Sequence, residues 1–265
     1  MAKSLPVDPS IEWWLKGVVE CREDDVMQKY ASFNLKVAEL RQDNDKTTTL
    51  SSQSPSNIEA VLSLLHRAQD LEKEYRKWYT SLPPEWKPNA IAWVDWNDLG
   101  LSMGADLAQS LVHPGRVDAY RELSLAYAYN VARSSQILIW TTILRCVAWL
   151  APGSDYRITP EHKRAVQICS VLIEDIVASV PYFFGWNAET DPATATSNDR
   201  RGIDDSIKGV SGVFLMWPLF AACSSDFASE SQRAFLRGRL TFIAENMGIC
   251  QARILLSVSN VYVFA

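Results

Sequence analysis

Apolar positions recur every three to four residues along nearly the whole chain, and that period predicts helices. Asp8-Pro9 sets a capping residue before a proline, which predicts a helix start. The spacing continues toward residue 40 as two helices. Residues 42–56 (QDNDKTTTLSSQSPS) are polar and read as a loop or linker. Ser56-Asn57-Ile58-Glu59 fits a capping box, S-x-x-E. Behind it Val61, Leu62, Leu65, Ala68, Leu71, Tyr75 and Trp78 share a helical face, and Leu82-Pro83-Pro84 ends that helix. Residues 84–114 are aromatic and irregular, with Trp86, Trp93 and Trp96 in a segment expected to cover the core in extended form.

A long helix is predicted over 116–150. Its stripe runs Leu123, Ala126, Asn130, Arg133, Ile137, Trp140, Leu144 and Val147, in steps of three and four. Thr159-Pro160 opens the next helix, which reaches Val180 before Pro181. A polar loop over 185–202 leads to a very apolar helix at about 204–224. Ser229-x-x-Gln232 caps a helix that stops at Gly248, and a last helix runs from about 250. No alternating strand pair or Asn-Gly hairpin signal is visible. The expected fold is all-α, a single helical domain of about eight helices around a long central one. Residues 1–55 form N-terminal helices and a polar linker, and residues 56–265 the main helical body.

Composition narrows the function classes. Of the 265 residues, 48% are hydrophobic and ten are Trp, enough to bury a large core. The net charge of -5 and the absence of a basic stripe argue against direct nucleic-acid binding. Five scattered cysteines, none at CxxC spacing, read as reduced thiols of an intracellular protein, cytoplasmic or nuclear. The N-terminus lacks the apolar core of a signal peptide. The longest apolar run, Val210 to Cys223, is shorter than the ~20 residues of a membrane span, so no membrane association is expected.

Chemistry is sparse. No glycine loop for phosphate is present, and Gly209-Val210-Ser211-Gly212 lies within an apolar helix. His66, His113 and His162 fall in different segments without a partner at i+4, so no metal site is expected. Neither Asp24-Asp25 nor Asp204-Asp205 extends to DDxxD. Asn97-Asp98, Ser102 and Asp106 miss the spacing of a second diphosphate–metal motif by one residue, which turns a ligand ~100° on a helix. No cofactor is implied. What remains are polar residues on apolar faces: Asn130 and Arg133 on the long stripe, and Asp175 on a stripe with Ile168, Leu172 and Ser179. A buried charge needs a partner, so Arg133 and Asp175 are expected either to meet within ~6 Å or each to find a backbone partner.

Five pieces then stand in order. They are Leu82-Pro83-Pro84-Glu85-Trp86; Asp118-Ala119-Tyr120 with Tyr129-Asn130-Val131-Ala132-Arg133; Glu174 to Tyr182 (EDIVASVPY); Leu215-Met216-Trp217-Pro218-Leu219; and Met247 to Ala252 (MGICQA). Together they resemble the fungal-specific transcription factor domain, the C-terminal region of zinc-cluster regulators, over about two-thirds of the chain. The resemblance implies a helical regulatory domain tied to control of metabolic gene clusters, with no catalytic residues to transfer. The family reads DNA through six cysteines in C-x₂-C-x₆-C spacing that bind two zinc ions. No such array occurs here, so a full-length chain of this sequence would not read DNA in that way.

Two expectations follow. In the first, the chain is a regulatory or effector-binding domain of fungal secondary metabolism. It takes an apolar small molecule, with Asn130, Arg133, Trp140 and Trp217 as ligand-binding residues. It also offers Trp13 and Trp14 for homo- or heterodimerisation. In the second, the same scaffold is a cofactor-independent enzyme, a cyclase, isomerase or rearrangement catalyst of a polyketide or terpenoid pathway. Asp175 would then be acid or base and Tyr182 a hydrogen-bond donor.

Overall fold

A computed structural model describes residues 25–47, 49–50, 52–97, 99, 107–186 and 205–262. The expected helix start at Asp8-Pro9, the pair Trp13 and Trp14, the acidic residues Asp98, Asp106 and Asp204, and most of the 185–202 loop lie outside these residues. The fold is all-α apart from one small sheet. In chain order the helices are α1 (Asp25–Thr47), α2 (Pro55–Ser81), α3 (Leu123–Leu150), α4 (Pro160–Phe183), α5 (Asp205–Cys223), α6 (Glu230–Glu245) and α7 (Cys250–Tyr262). Strands β1 (Asn89–Val94) and β2 (Gly115–Ala119) lie between α2 and α3.

The described residues pack as two compact units. One takes the chain up to Pro83 together with Ser135–Cys169; the other takes Pro84–Ser134 and the chain from Ser170 onward. Both α3 and α4 therefore contribute one part of their length to each unit.

In the first unit α1 and α2 interlock by aromatic rings. Tyr30 stacks on Trp78 at 5.4 Å between centroids, Phe33 tilts on Tyr75 at 5.0 Å, and Arg67 reaches Asp43 at 2.7 Å. Partners whose numbers rise in one helix and fall in the other define an antiparallel pair. The buried face of α2 is Val61, Leu64, Ala68, Leu71, Glu72, Tyr75 and Trp78. Leu62, expected on that face, is instead 38% exposed. The start of α2 also differs from the expected capping box. Ser54 is the cap, accepting from the Asn57 amide at 3.3 Å, and Pro55 supplies the first turn with a ring that needs no donor. The preceding linker is shorter than its composition suggests, because α1 continues through Thr47. There Asp43 bonds both Lys46 and Arg67, and Asn44 is buried.

The sheet corrects two expectations. Residues 115–119 are strand, so the long helix begins at Leu123, and the strand pair that showed no alternation exists. Its antiparallel register places Trp93 opposite Arg116 and Val94 opposite Gly115, with an irregularity between Ala90 and Ala92 that breaks the period of two. Val94, Leu99, Leu111, Val112, Val117 and Trp186 form a hydrophobic cluster beneath it.

Helix α4 passes through Pro181 and ends at Phe183. The Gly185 amide donates to the Tyr182 carbonyl at 3.1 Å and the Trp186 amide to the Pro181 carbonyl at 3.0 Å. That pair of bonds is a Schellman ending, and Gly185 supplies its left-handed residue at φ 72°. By length and apolar composition α4 is long enough to cross a membrane, but it also carries Asp175 and a largely buried window. The capping box at Ser229 forms as expected, with Gln232 returning its side chain to the Ser229 amide at 3.0 Å.

Helices α5, α6 and α7 pack on one another in the second unit. On α6, Gly238 allows a close approach to the backbone of Ala108. A Cβ there would strike the backbone of Ala108, which has no flexible end to move aside. Replacing an exposed helical glycine with alanine ordinarily stabilises by about 1 kcal/mol. Here Gly238→Ala is expected to destabilise by about 1–3 kcal/mol or more, lowering Tm by about 2–4 °C per kcal/mol. Gly212→Ala meets only the Met247 methyl at 2.7 Å and its neighbours, and a flexible thioether yields. That variant should stay within about 1 kcal/mol of wild type on the same reasoning. Thermal melts decide it: a Gly238→Ala protein as stable as wild type would refute the close approach.

Candidate functional site

The second unit holds a polar cluster built from three short stretches. Residues i and i+2 of a strand face the same way, so β2 presents Arg116 and Asp118 together. Residues i, i+4 and i+7 of a helix share a face, so α4 presents Asp175, Ser179 and Tyr182 together. The first turns of α3 bring Asn130 and Arg133, three apart. Tyr120 lies on the short link from β2 to α3.

Arg116 grips Asp118 in a two-pronged pair, Nε to Oδ1 at 2.8 Å and Nη2 to Oδ2 at 3.0 Å. The same Nη2 donates to Asp175 Oδ1. Arg133 Nη2 stands 3.5 Å from Asp175 Oδ2. The two arginines therefore share one carboxylate, one on each oxygen, and Arg133 meets Asp175 as the sequence led us to expect. Arg133 Nη1 also donates to Tyr120 Oη at 2.7 Å and Asn130 Oδ1 at 2.8 Å. Asn130 passes the chain on, its Nδ2 donating to Ser179 Oγ at 2.8 Å, and Ser179 donates to the Ile176 carbonyl at 2.6 Å. The Arg133 guanidinium lies over the Tyr129 ring at 5.3 Å and near the Tyr120 ring at 5.9 Å.

The interior is buried: Arg133 and Asp118 are each 2% exposed, and Asn130 and Ser179 fully buried. Asp175 is partly open and Arg116 more so. Burial works against charge on Arg116, but its bonds to Asp175 and Asp118 outweigh that and raise its pKa. Burial pushes the Tyr129 phenol up to about 12. It also raises Tyr120, with Arg133 pulling the other way, and raises Tyr182, with the Glu122 carboxylate adding to the effect. All three tyrosines are neutral phenols at ordinary pH. Two guanidiniums against two carboxylates leave the cluster without net charge.

The structure thus brings Asn130, Arg133 and Asp175 together, with Tyr182 at the edge through its ring contact with Tyr120 at 5.4 Å. Trp140 belongs to the first unit, buried, with the Arg164 guanidinium 5.9 Å from its ring. Trp217, half-buried on α5, packs on Phe220 at 5.6 Å. Sequence reasoning missed Arg116, Asp118 and Tyr120. The available signal was Gly115-Arg116-Val117-Asp118-Ala119, a polar alternation that pairs charges on a strand but not on a helix. Among the described residues no group of three or more His, Cys, Asp or Glu is arranged to hold a metal. Two concavities are lined by other described residues. One, of about 500 Å³, is an open groove along one side of α2 from Pro55 to Asp70. The other, of about 290 Å³, lies between Ala108, Gln109 and α6.

Comparison with known proteins adds one relationship. The chain is similar to the transcription factor dbaG of Emericella nidulans, with 26% identity over 218 residues. The match covers 82% of this chain and 49% of the relative, so the chain spans about half the length of the curated relative it matches. No protein-family model matches the chain. No solved structure matches it either.

The network predicts strong coupling. Arg133→Met removes the donor shared by Tyr120, Asn130 and Asp175, and is expected to cost about 3–5 kcal/mol. Asp175→Asn leaves Arg133 its other two acceptors and sits nearer solvent, so about 1–3 kcal/mol is expected. The double variant should lose less than the sum, which denaturant titration measures. Strictly additive losses would show that the pair is not coupled.

Proposed function

We propose that the chain is a regulatory domain of the transcription-factor type, acting through contacts with a partner protein or a small apolar effector. The observation that carries this reading is the similarity to a fungal transcription factor along 82% of the chain. The ordered family-like pieces agree with it, since two of them supply the polar cluster: one gives Asp118, Tyr120, Asn130 and Arg133, the other Asp175 to Tyr182. The control of metabolic gene clusters, a nuclear or cytoplasmic setting, dimerisation with a second copy or a longer relative, and the absence of direct DNA reading belong to the same proposal.

The chemistry of the cluster favours this over catalysis. An acid–base carboxyl needs an oxygen open to substrate. Both oxygens of Asp175 are already held by guanidiniums, and a neutral, internally bonded cluster has no charge to lend to a transition state. The cyclase or isomerase reading has no observation in its favour.

The test is a tethering assay. Fused to an unrelated DNA-binding domain, the chain is expected to change expression of a reporter with matching sites at least severalfold. Arg133→Met should abolish the effect through loss of the fold. An inert fusion that is nonetheless folded and abundant in the nucleus would count against the proposal. So would conversion of polyketide or terpenoid intermediates by the purified chain, if Asp175→Asn stopped it at unchanged helicity.

A further inference from the structure

Apart from the polar cluster, His113 and Ser231 face each other across the second unit. His113 Nδ1 lies 2.8 Å from the Pro114 carbonyl oxygen, and Nε2 lies 3.3 Å from Ser231 Oγ. Ser231 Oγ is in turn 3.0 Å from Ser229 Oγ, which accepts from the Gln232 amide at 3.2 Å. A carbonyl oxygen can only accept, so Nδ1 carries the imidazole proton. Nε2 of the neutral ring is then an acceptor, and Ser231 must donate to it. With its hydrogen so committed, Ser231 Oγ accepts from Ser229. The bonds run one way, from Ser229 through Ser231 and His113 to Pro114.

We propose that Ser231 is a histidine-activated nucleophile that accepts an acyl group from an activated ester or thioester. The arrangement has the parts acyl transfer requires: a hydroxyl bonded to a base, and a base oriented by a third group. Here the third group is a backbone carbonyl in place of a carboxylate. Burial lowers the His113 pKa below the ordinary histidine value, so the ring is neutral and able to take a proton near pH 7. The ring is held by aromatic neighbours, Phe235 at 5.5 Å and Trp96 at 6.3 Å, both edge-on. Ser231 itself is half-buried and Ser229 exposed, so the hydroxyl is within reach of a ligand. The partly exposed Trp96 offers an apolar wall suited to an aryl or alkyl ester.

The steps balance. Ser231 Oγ bonds the acyl carbon as its proton passes to His113 Nε2. Once Ser231 is acylated, the Ser229 hydroxyl that donated to it, 3.0 Å away, is the neighbouring donor available to the developing negative charge. Collapse of the tetrahedral adduct breaks the bond to the leaving alkoxide or thiolate, which takes the proton from Nε2. Water, deprotonated by His113, then releases the carboxylic acid and restores Ser231.

The site is independent of the regulatory reading and fails or stands by its own test. The full chain is incubated with 4-nitrophenyl acetate and, separately, with a fluorophosphonate probe that spares the exposed Cys250 thiol. Intact-mass spectrometry is expected to show one adduct per chain, mapped by peptide sequencing to Ser231. Ser231→Ala should remove it. His113→Ala should slow labelling about 10²–10⁴-fold, and His113→Gln equally, while thermal melts report whether each variant is folded. Labelling at Ser231 that is unchanged in a folded His113 variant would overturn the proposal, as would no adduct, or adducts only at other residues.

Discussion

Arg133 is the constraint on which the second unit depends. A guanidinium removed almost wholly from water needs an opposing charge and an acceptor for each donor, or the fold loses several kcal/mol. One carboxylate, Asp175, reaches it from α4, and that carboxylate is also bonded by Arg116, whose second partner is Asp118. Removing Arg116 takes from the buried Asp118 its arginine, and removing Asp175 takes from Arg133 the carboxylate that faces it. The requirement fixes local structure. Residues 115–119 have to be strand, because only there do Arg116 and Asp118 point the same way. Helix α4 has to keep its face through Pro181 so that Asp175, Ser179 and Tyr182 stay aligned, and the Gly185 ending then turns the chain so that Trp186 reaches the hydrophobic cluster under β1.

Much of this was legible in the residues. Asn130 and Arg133 fall on the buried stripe of α3, and Asp175 and Ser179 on that of α4, because a period near 3.6 marks helix faces whatever their polarity. The Ser229 cap is local and therefore readable. The errors are equally physical. Arg116 and Asp118 were hidden because the apolar run after them extended the helix signal backward over a strand of only five residues. Residues 42–47 looked like a linker by composition, yet tertiary partners hold them helical: Arg67 on Asp43, and the burial of Asn44. Ser54 was passed over as a cap because Ser56 gave the better local pattern, although Pro55 fits only the first turn.

The two polar constellations of the second unit differ in how their hydrogen bonds end. In the arginine cluster the interior bonds end on protein groups: Asp175 on two guanidiniums, Asn130 on Ser179, and Ser179 on a backbone carbonyl. A closed neutral network of that kind sets the register of α3 against α4 and gives the core one arrangement, which suits a scaffold that presents surfaces to partners. The His113 chain runs between two backbone groups, from the Gln232 amide to the Pro114 carbonyl. At the Pro114 carbonyl it is anchored, while at the other it reaches two serines, one half-buried and one exposed, at the start of a helix. The exposed Ser229 leaves that end of the chain at the surface, where a hydroxyl can meet a group from outside the fold. That difference is what places the proposed reactivity at Ser231, while the charges around Asp175 belong to stability.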